Sequence, residues 1–308
     1  MKVAIATGDP AGIGPEISVK AAREVSGICE PVLIGDLAAF KNLSLKNLSF
    51  VERKQFKRGE FKIGEIRAAH GRAALDSAET AIKGALAGEY DAVVAAPHTD
   101  TAIHAAGIEF DGYPSFVART CGLAPEAGIL MLCFPWRKRD IRIAHVTLHS
   151  TVEAALRLLS KEKISSVVNA VAQTLKKMGI EKPRIAVSGL NPHASGDEEE
   201  KLIRPAIEAA RAGAIVDGPI GADTLIQREG YDAYVVMLHD QGHVAAKLLA
   251  PNGAAAITIG TPVLFSSVAH GSALDIAGKG RANPAAMVEA ITRLVGHRRR
   301  DRATQRTS

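Results

Sequence analysis

The 308-residue chain is long enough for two α/β lobes of about 150 residues each. Hydrophobic residues make up 47% of it, but no apolar run reaches the roughly 18 residues that span a bilayer, so we expect a globular protein without a membrane partner. The apolar run at 3–7 is too short for a signal peptide and predicts a first strand. Three cysteines without paired spacing argue against a disulfide framework and a thiolate metal site, and they favour the cytoplasm.

The net charge of +5 is concentrated at the C-terminal end. Residues 297–308 carry five arginines and one aspartate, which leaves a net charge of +1 on the rest of the chain. A basic end after the last predicted helix is typical of a solvated, disordered tail. Since only 4% of the residues are aromatic and available to stack on bases, we do not expect the protein to bind nucleic acid.

Short β-branched runs alternate with helical stretches along the whole chain. They predict strands at 3–7, 31–34, 91–95, 128–133, 142–148, 184–188, 234–238 and 255–259. Helical periodicity predicts helices at 69–87, 152–177, 198–212 and 284–295. Strands that alternate with helices of this length imply crossover connections and a mainly parallel sheet. The sequence therefore predicts an α/β fold with two lobes and a central cleft.

A glycine-rich turn at 8–16, with the sequence GDPAGIGPE, directly follows the first predicted strand. Its glycines allow a ligand to approach the backbone closely, and the N-terminus of the helix that follows favours an anionic or polarised group. Pro15 suits the first turn of that helix. The spacing is not that of the dinucleotide fingerprint G-x-G-x-x-G, and an ordinary tight turn is the alternative interpretation.

Three histidines, His149, His193 and His239, each follow a predicted strand. Three neutral imidazoles that converge on one ion leave its full double charge available to polarise a bound hydroxyl. Imidazole favours zinc, cobalt, nickel or iron over magnesium. Asp240 and Asp223 are candidates for carboxylates that hold the ligands or contact a substrate. The alternative is that each histidine is structural.

A loop rich in small residues at 270–284, HGSALDIAGKGRANP, precedes the last predicted helix. Its backbone is suited to wrapping a flat ligand. Asp275 in this loop is suited to accept both hydroxyls of a ribose, and its charge would repel a 2′-phosphate. An ordinary surface loop is the alternative.

These segments together resemble a known superfamily. The turn at 8–16 and the loop at 270–284 are similar to the two signature segments of the isopropylmalate and isocitrate dehydrogenases. The PdxA family, founded on 4-hydroxythreonine-4-phosphate dehydrogenases, is matched by TLH at 147–149, GLNPHA at 189–194 and MLHDQG at 237–242. The resemblance implies one catalytic unit over 1–308, a two-lobed α/β/α sandwich in which one lobe is formed by both chain ends.

The resemblance also implies roles for individual residues. His149, His193 and His239 are expected to bind one divalent ion, zinc before cobalt, iron, nickel, manganese or magnesium. An obligate homodimer is implied, with metal ligands drawn from both chains into a shared active site. The residues expected to act in catalysis are Lys247, Asp240 and Asp223. The residues expected to contact NAD, which Asp275 is expected to select over NADP, are Gly12, Ile13, His270, Gly271, Ser272, Ala273, Asp275 and Asn283.

The chain departs from the phosphate-handling members at the substrate. Phe265 stands where those members carry an arginine that grips the substrate phosphate, and Ala256 replaces a substrate-binding asparagine. A lone apolar ring cannot replace the charge-assisted hydrogen bonds of a guanidinium. The altered segments, GYPS at 112–115 among them, resemble terephthalate dihydrodiol dehydrogenases.

Those enzymes oxidise 1,2-dihydroxycyclohexa-3,5-diene-1,4-dicarboxylate and release protocatechuate and carbon dioxide. The resemblance thus predicts a small carboxylate substrate whose ring lies in an apolar slot at Phe265 and Ala256. The residues predicted to contact it are His98, Tyr113, Ser115, His243 and Phe265. Two alternatives remain, namely a dehydrogenase that acts on 4-hydroxythreonine phosphate or a related sugar-acid phosphate, and a non-catalytic binding protein that kept the fold.

Overall fold

A computed structural model describes the backbone of residues 1–57, 59–210, 213–251, 254–268 and 270–304, with side chains as far as 296. Its strands are β1 (Lys2–Ala6), β2 (Glu30–Gly35), β3 (Ser49–Glu52), β4 (Ala92–Ala95), β5 (Ile129–Trp136), β6 (Arg139–His145), β7 (Arg184–Ser188), β8 (Ile215–Ile220), β9 (Ala233–Val236), β10 (Ala255–Ile259) and β11 (Phe265–Val268). Its α-helices are α1 (Gly14–Val25), α2 (Ala68–Leu86), α3 (Asp100–Ala105), α4 (Tyr113–Thr120), α5 (Val152–Leu158), α6 (Lys161–Lys177), α7 (Arg204–Ala209), α8 (Ala222–Leu225), α9 (His239–Leu249) and α10 (Ala285–Thr304). The α/β class predicted from the sequence is confirmed.

The chain divides into two compact units. The first consists of Met1–Gly128 and Thr261–Gly296, and the second is built on Ile129–Gly260. Among the described residues, no helix combines the length and the apolar character needed to cross a bilayer. The predicted basic tail begins inside α10, and its residues 305–308 lie outside the described part of the chain.

In the first unit, five strands pair in the order β3-β2-β1-β4-β11, and every pair is parallel. The residues of β4 are fully buried, as are those of β1 after its first residue. Such continuous apolar strands are typical of a parallel sheet that is covered on both faces. The core on one side includes Ile82 of α2, Ile103 of α3 and Phe265 of β11.

The second unit has the order β10-β5-β6-β9-β7-β8. From β6 to β8 the pairs are parallel, as predicted, whereas β10-β5 and β5-β6 are antiparallel. The antiparallel pair β5-β6 is a hairpin in which Trp136 pairs with Arg139 across a two-residue turn. Arg137 in that turn has a φ of 55°, the left-handed conformation that tight hairpins require.

The segment 152–177, predicted as one helix, forms the two helices α5 and α6. The prediction was wrong at 159–160, where the two helices are separated. Leu159 leaves the helical conformation with φ −69° and ψ 125°, and Ser160 then caps α6. The Ser160 hydroxyl accepts a hydrogen bond from the Lys163 N–H at 3.1 Å. Ser160 favours a break between α5 and α6, because its side chain accepts a hydrogen bond from a backbone amide at the start of α6.

We expect Ser160→Ala to lower the unfolding free energy by about 1 kcal/mol, since an unsatisfied amide remains at the start of α6. This corresponds to a fall in melting temperature of roughly 2–4 °C. Ser165→Ala inside the same helix is the matched control, and it should cost nothing because alanine has the higher helix propensity. Thermal unfolding followed by circular dichroism compares the two variants. Equal melting temperatures would show that the cap does not stabilise α6.

Candidate active site

Two parallel strands of the second unit end side by side and place two histidines together. The Thr147 backbone N–H donates to Met237 O at 3.2 Å, and the Thr147 hydroxyl donates to the same oxygen at 2.7 Å. These bonds hold the chain beyond β6 against the chain beyond β9. As a result, the rings of His149 and His239 lie with their centroids 5.8 Å apart.

Two further imidazoles extend this pair into a histidine row, which consists of His145, His149, His239 and His243. His243 stacks on His239 with 3.8 Å between centroids and 11° between planes. His145 lies beside this stack, with its centroid 4.7 Å from that of His243 and 6.4 Å from that of His239. His239 and His243 face the same way because they are four residues apart on α9.

A hydrogen bond orients His239, and burial lowers the pKa of two other rings of the row. His239 Nδ1 lies 2.7 Å from Asp240 Oδ1, and since a carboxylate accepts, the ring keeps a lone pair on Nε2. This is the arrangement in which a carboxylate orients a metal-binding histidine. Burial, reinforced by the neighbouring histidines, lowers the pKa of His145 to about 3 and the pKa of His243 to about 4. Both rings are therefore neutral near pH 7.

A pocket of about 520 Å³ lies beside His149 and His239. Its lining residues are Thr147, Leu148, His149, Ser150, Thr151, Val152, Ala155, Leu238, His239 and Asp240. All of them belong to the second unit. The pocket is large enough for a small-molecule ligand.

His193, the third predicted metal ligand, is exposed on the turn Pro192–Ala194. Its φ of 61° lies in the left-handed region, which few non-glycine residues adopt. Glu199 fixes the turn, because its Oε1 accepts from the N–H groups of Leu190 and Asn191, both at 2.8 Å. Within the described residues of one chain, no three His, Cys, Asp or Glu side chains are arranged to hold a metal ion.

The other predicted catalytic residues lie on two helices of the second unit. Lys247 is on α9, and its charge contributes, after burial and the other histidines, to the lowered pKa of His243. Asp223 is exposed in the short helix α8. The structure thus brings His149, His239 and Asp240 together, with Lys247 close to His243.

The sequence analysis missed Gln241, whose amide holds the beginning of α9. Its Oε1 accepts from the backbone N–H groups of Met237 at 2.9 Å and Leu238 at 3.0 Å. Its Nε2 donates to Gly189 O at 3.0 Å, which ties the end of β9 to the end of β7. A glutamine three residues after the last residue before a helix is a capping signal that the sequence contains.

In the first unit, the turn at 8–16 lies against the loop at 270–284. The Ile13 N–H donates to Ser272 O at 2.8 Å, and a Cβ at Gly12 would lie 2.6 Å from the same oxygen, so only glycine fits there. The buried Glu16 carboxylate accepts from the backbone N–H groups of Ala282 at 2.8 Å and Gly280 at 3.2 Å. The two segments predicted to bind NAD are therefore joined by direct bonds.

The predicted cofactor residues differ in their exposure. Asp275 is exposed on the short turn Leu274–Ile276, which begins after Ala273 in the left-handed conformation with a φ of 42°. His270 and Gly271 are exposed beside it. The Asn283 side chain accepts from the Ala285 N–H at 2.9 Å and thereby caps α10.

The predicted substrate residues of the first unit form an aromatic cluster. Phe265 is fully buried, and its ring centroid lies 5.0 Å from that of Tyr113, which lies 4.8 Å from that of His98. The Tyr113 hydroxyl is buried and has no hydrogen-bond partner within the described residues. Burial, followed by the charge of Asp100, raises the pKa of Tyr113, so the hydroxyl stays protonated. Ser115 donates a hydrogen bond to Asp111.

Comparison with known proteins places these features in a family. The sequence matches the family model described as pyridoxal phosphate biosynthetic protein PdxA over residues 20–294. A 1,2-dihydroxy-3,5-cyclohexadiene-1,4-dicarboxylate dehydrogenase from a Comamonas species is 43% identical, covering 95% of this chain and 96% of the relative. A D-threonate 4-phosphate dehydrogenase from Cupriavidus necator is 37% identical, covering 94% and 95%.

Solved structures give the same picture. A 4-hydroxythreonine-4-phosphate dehydrogenase from Klebsiella pneumoniae superposes with a TM-score of 0.82 at 31% identity, covering 96% of this chain and 98% of that one. A terephthalate 1,2-cis-dihydrodiol dehydrogenase from Burkholderia xenovorans gives a TM-score of 0.74 at 38% identity, covering 96% and 97%. Because the family model and these relatives span nearly the whole chain, the protein belongs to the PdxA family and is a dehydrogenase of that family.

Proposed function

We propose that the protein oxidises and decarboxylates 1,2-dihydroxycyclohexa-3,5-diene-1,4-dicarboxylate to protocatechuate, with NAD and one divalent metal ion. The proposal depends on Phe265, which, by the family resemblance, stands where the phosphate-handling members carry an arginine. Its side chain is fully buried against Tyr113 and has no exposed surface. An apolar, buried side chain provides neither charge nor hydrogen bonds to a phosphate.

The energetic argument follows from that replacement. A doubly charged phosphate that loses water without gaining an ionic partner is destabilised by several kcal/mol, on the order of 2–7 for each uncompensated polar group. Phe265 has no exposed surface to offer a substrate, so the effect of the replacement is the missing cation. The replacement therefore disfavours a phosphate ester.

The carboxylates of the dihydrodiol still need polar partners. Lys247 lies close enough to His243 to affect its pKa, and we assign a substrate carboxylate to this cation.

The residues present also fit a divalent metal ion. His149 and His239 lie side by side at a pocket, and the bond from His239 to Asp240 leaves its Nε2 available as a ligand. An ion bound there would act as a Lewis acid on the substrate oxygens. Three imidazole ligands with an open position would fit zinc.

We propose that a second copy of the chain supplies the third ligand, His193. Within the described part of one chain His193 is exposed and joins no group of metal-binding geometry. Val152, which lines the pocket, is 67% exposed, and Leu248, on the helix α9 that carries His239, is 76% exposed. Apolar exposure next to an incomplete site supports an interface there, with the symmetric dimer as the simplest assembly.

The proposed reaction balances without any further reactant. The carbinol C–H gives a hydride to NAD, and the hydroxyl gives up its proton, which yields a β-keto acid. That acid loses carbon dioxide, the enolate oxygen left behind takes up a proton equivalent to the one released, and the ring becomes the aromatic catechol. Asp223, exposed at α8, is our candidate for a hydrogen bond to a substrate hydroxyl.

NAD is proposed to bind the joined segments of the first unit. The bond between Ile13 and Ser272 fixes the glycine turn against the loop that carries Asp275. Asp275 is exposed on its short turn, where a carboxylate is suited to the two hydroxyls of a ribose.

The first prediction concerns the substrate. We expect kcat/KM for the dihydrodiol to exceed that for 4-hydroxythreonine 4-phosphate or D-threonate 4-phosphate by at least about a hundredfold, roughly 2.7 kcal/mol, because the phosphate lacks a cation at Phe265. The measurement is NADH formation with each compound under the same metal and pH. The reverse ranking would favour the phosphate-ester alternative, which the similarity to the Cupriavidus enzyme supports.

The second prediction concerns the shared site. His193→Ala and His239→Ala should each be inactive alone, but their co-expression should restore about a quarter of the wild-type activity, since half of the random dimers carry one complete site. The control is co-expression of His149→Ala with His239→Ala, which should restore nothing because both changes fall on the same side of the site. Recovery in neither pair would contradict a site completed by a second copy.

The third prediction concerns the cofactor. We expect a preference for NAD over NADP that falls at least about tenfold, or about 1.4 kcal/mol, in Asp275→Asn because the repulsion of the 2′-phosphate is removed. Asp197→Asn, a change at an exposed aspartate of the second unit, is the control and should leave the ratio unchanged. A preference that persists in Asp275→Asn would show that another group selects the cofactor.

A further inference from the structure

Behind the two histidines proposed to bind metal lies His145, to which the sequence assigned no role. It is the last residue of β6 and is only 3% exposed. Its Nδ1 lies 3.5 Å from Leu130 O, and its Nε2 lies 3.1 Å from His243 Nδ1. Both ring nitrogens therefore face a partner, and neither partner is solvent.

These two contacts determine where the protons are. A carbonyl oxygen only accepts, so His145 Nδ1 carries the proton that it donates to Leu130 O. A neutral imidazole has one proton, which leaves His145 Nε2 as an acceptor. His243 Nδ1 must then donate to it, and the backbone of His239 is a second hydrogen-bond partner of the His243 ring. His243 is left with an unprotonated Nε2.

The backbone is built for this close contact. Gly242 precedes His243, and a Cβ at Gly242 would lie 2.3 Å from His145 Nε2 and 2.9 Å from Ile143 Cγ2. No residue with a side chain fits there without moving His145 or β6. The glycine thus permits the approach of α9 to β6 that brings the two imidazoles together.

The contact between His145 and His243 also affects His239, because His243 stacks on His239. His243 lies parallel to His239 at 3.8 Å, so a rotation of one ring would collide with the other. Asp240 holds His239 at its ring edge, through Nδ1, while His243 covers its face. The plane of His239 is therefore fixed from two directions, and one of them depends on His145.

We propose that His145 is a positioning residue that fixes the tautomer and ring plane of His243 and, through the stack, the orientation in which His239 presents Nε2. The inference rests on the proposed metal site. It also implies that His243 accepts hydrogen bonds at Nε2, which suits a substrate hydroxyl and does not suit a substrate carboxylate.

A purely structural role would make a different demand on position 145. A buried core position needs volume and apolar surface, which leucine supplies. The positioning role needs an acceptor about where Nε2 lies, which glutamine supplies through its amide oxygen and leucine does not. The pair His145→Leu and His145→Gln therefore separates the two roles.

The experiment measures Co²⁺ binding to the full-length protein by the visible absorbance of the bound ion, without any activity assay. We expect His145→Leu to weaken binding by about 10- to 100-fold, the usual effect of losing a group that supports a ligand, and His145→Gln to remain within about threefold of wild type. His70→Leu is the matched control. His70 is a fully buried histidine of the first unit with a bond to Glu65 O at 2.9 Å, and its loss should leave Co²⁺ binding unchanged.

A second readout uses the wild-type protein alone, in case His145→Leu does not fold. Histidine labelled with ¹⁵N should show His243 protonated on Nδ1 and unprotonated on Nε2. A proton on Nε2 instead would overturn the inference. So would equal Co²⁺ affinity in wild type and His145→Leu, or equal weakening in His145→Leu and His145→Gln. If wild type itself binds no Co²⁺ while His243 shows the expected tautomer, the proposed metal site fails and the positioning of His243 stands.

Discussion

The candidate metal-binding face depends on one side-chain amide at the junction of β9 and α9. Where β9 ends, the backbone N–H groups of Met237 and Leu238 have left the sheet, and Gln241 Oε1 accepts from both. The same side chain reaches Gly189 O at the end of β7. An unpaired buried amide costs about 1–3 kcal/mol, so this arrangement determines where α9 begins. The positions of His239 and His243 depend on this arrangement, because both residues lie on α9.

The protein separates two tasks between its two units. In the first unit, the buried carboxylate of Glu16 and the bond between Ile13 and Ser272 join the glycine turn to the loop that carries Asp275. In the second, parallel strands end beside each other and present the histidine row. Both units use the rule that α/β sheets place their chemistry beyond the carboxyl ends of strands. In both units the strands position the functional segments, and a few polar contacts fix the orientation of their side chains.

Local patterns made much of this predictable. Continuous apolar runs identified β1 and β4. The histidines that follow three of the predicted strands, His149, His193 and His239, indicated the candidate site. The strands that were missed, β3, β8 and β11, are short or interrupted. In β8, Gly218 and Pro219 hide the strand signal, and this strand lies at the end of the order, where proline is tolerated.

The contacts within the site were not predictable because they join residues far apart in sequence. His145 and His243 are separated by 98 positions, and Gln241 and Gly189 by 52. No periodicity or spacing in the sequence encodes such a pair. The exposure of His193 on a strained turn is likewise a property of the folded chain, since Glu199 holds that turn through backbone amides.

The central claim is that His149 and His239 of one chain and His193 of another hold one divalent ion that the dehydrogenase requires. Anomalous diffraction from crystals of the protein grown with Zn²⁺ tests it most directly. The account predicts one anomalous peak for each chain, roughly 2.0–2.3 Å from an imidazole nitrogen of each of these three residues. A peak bound by other residues would contradict it, as would the absence of any peak in protein that turns over its substrate at full rate with a chelator present.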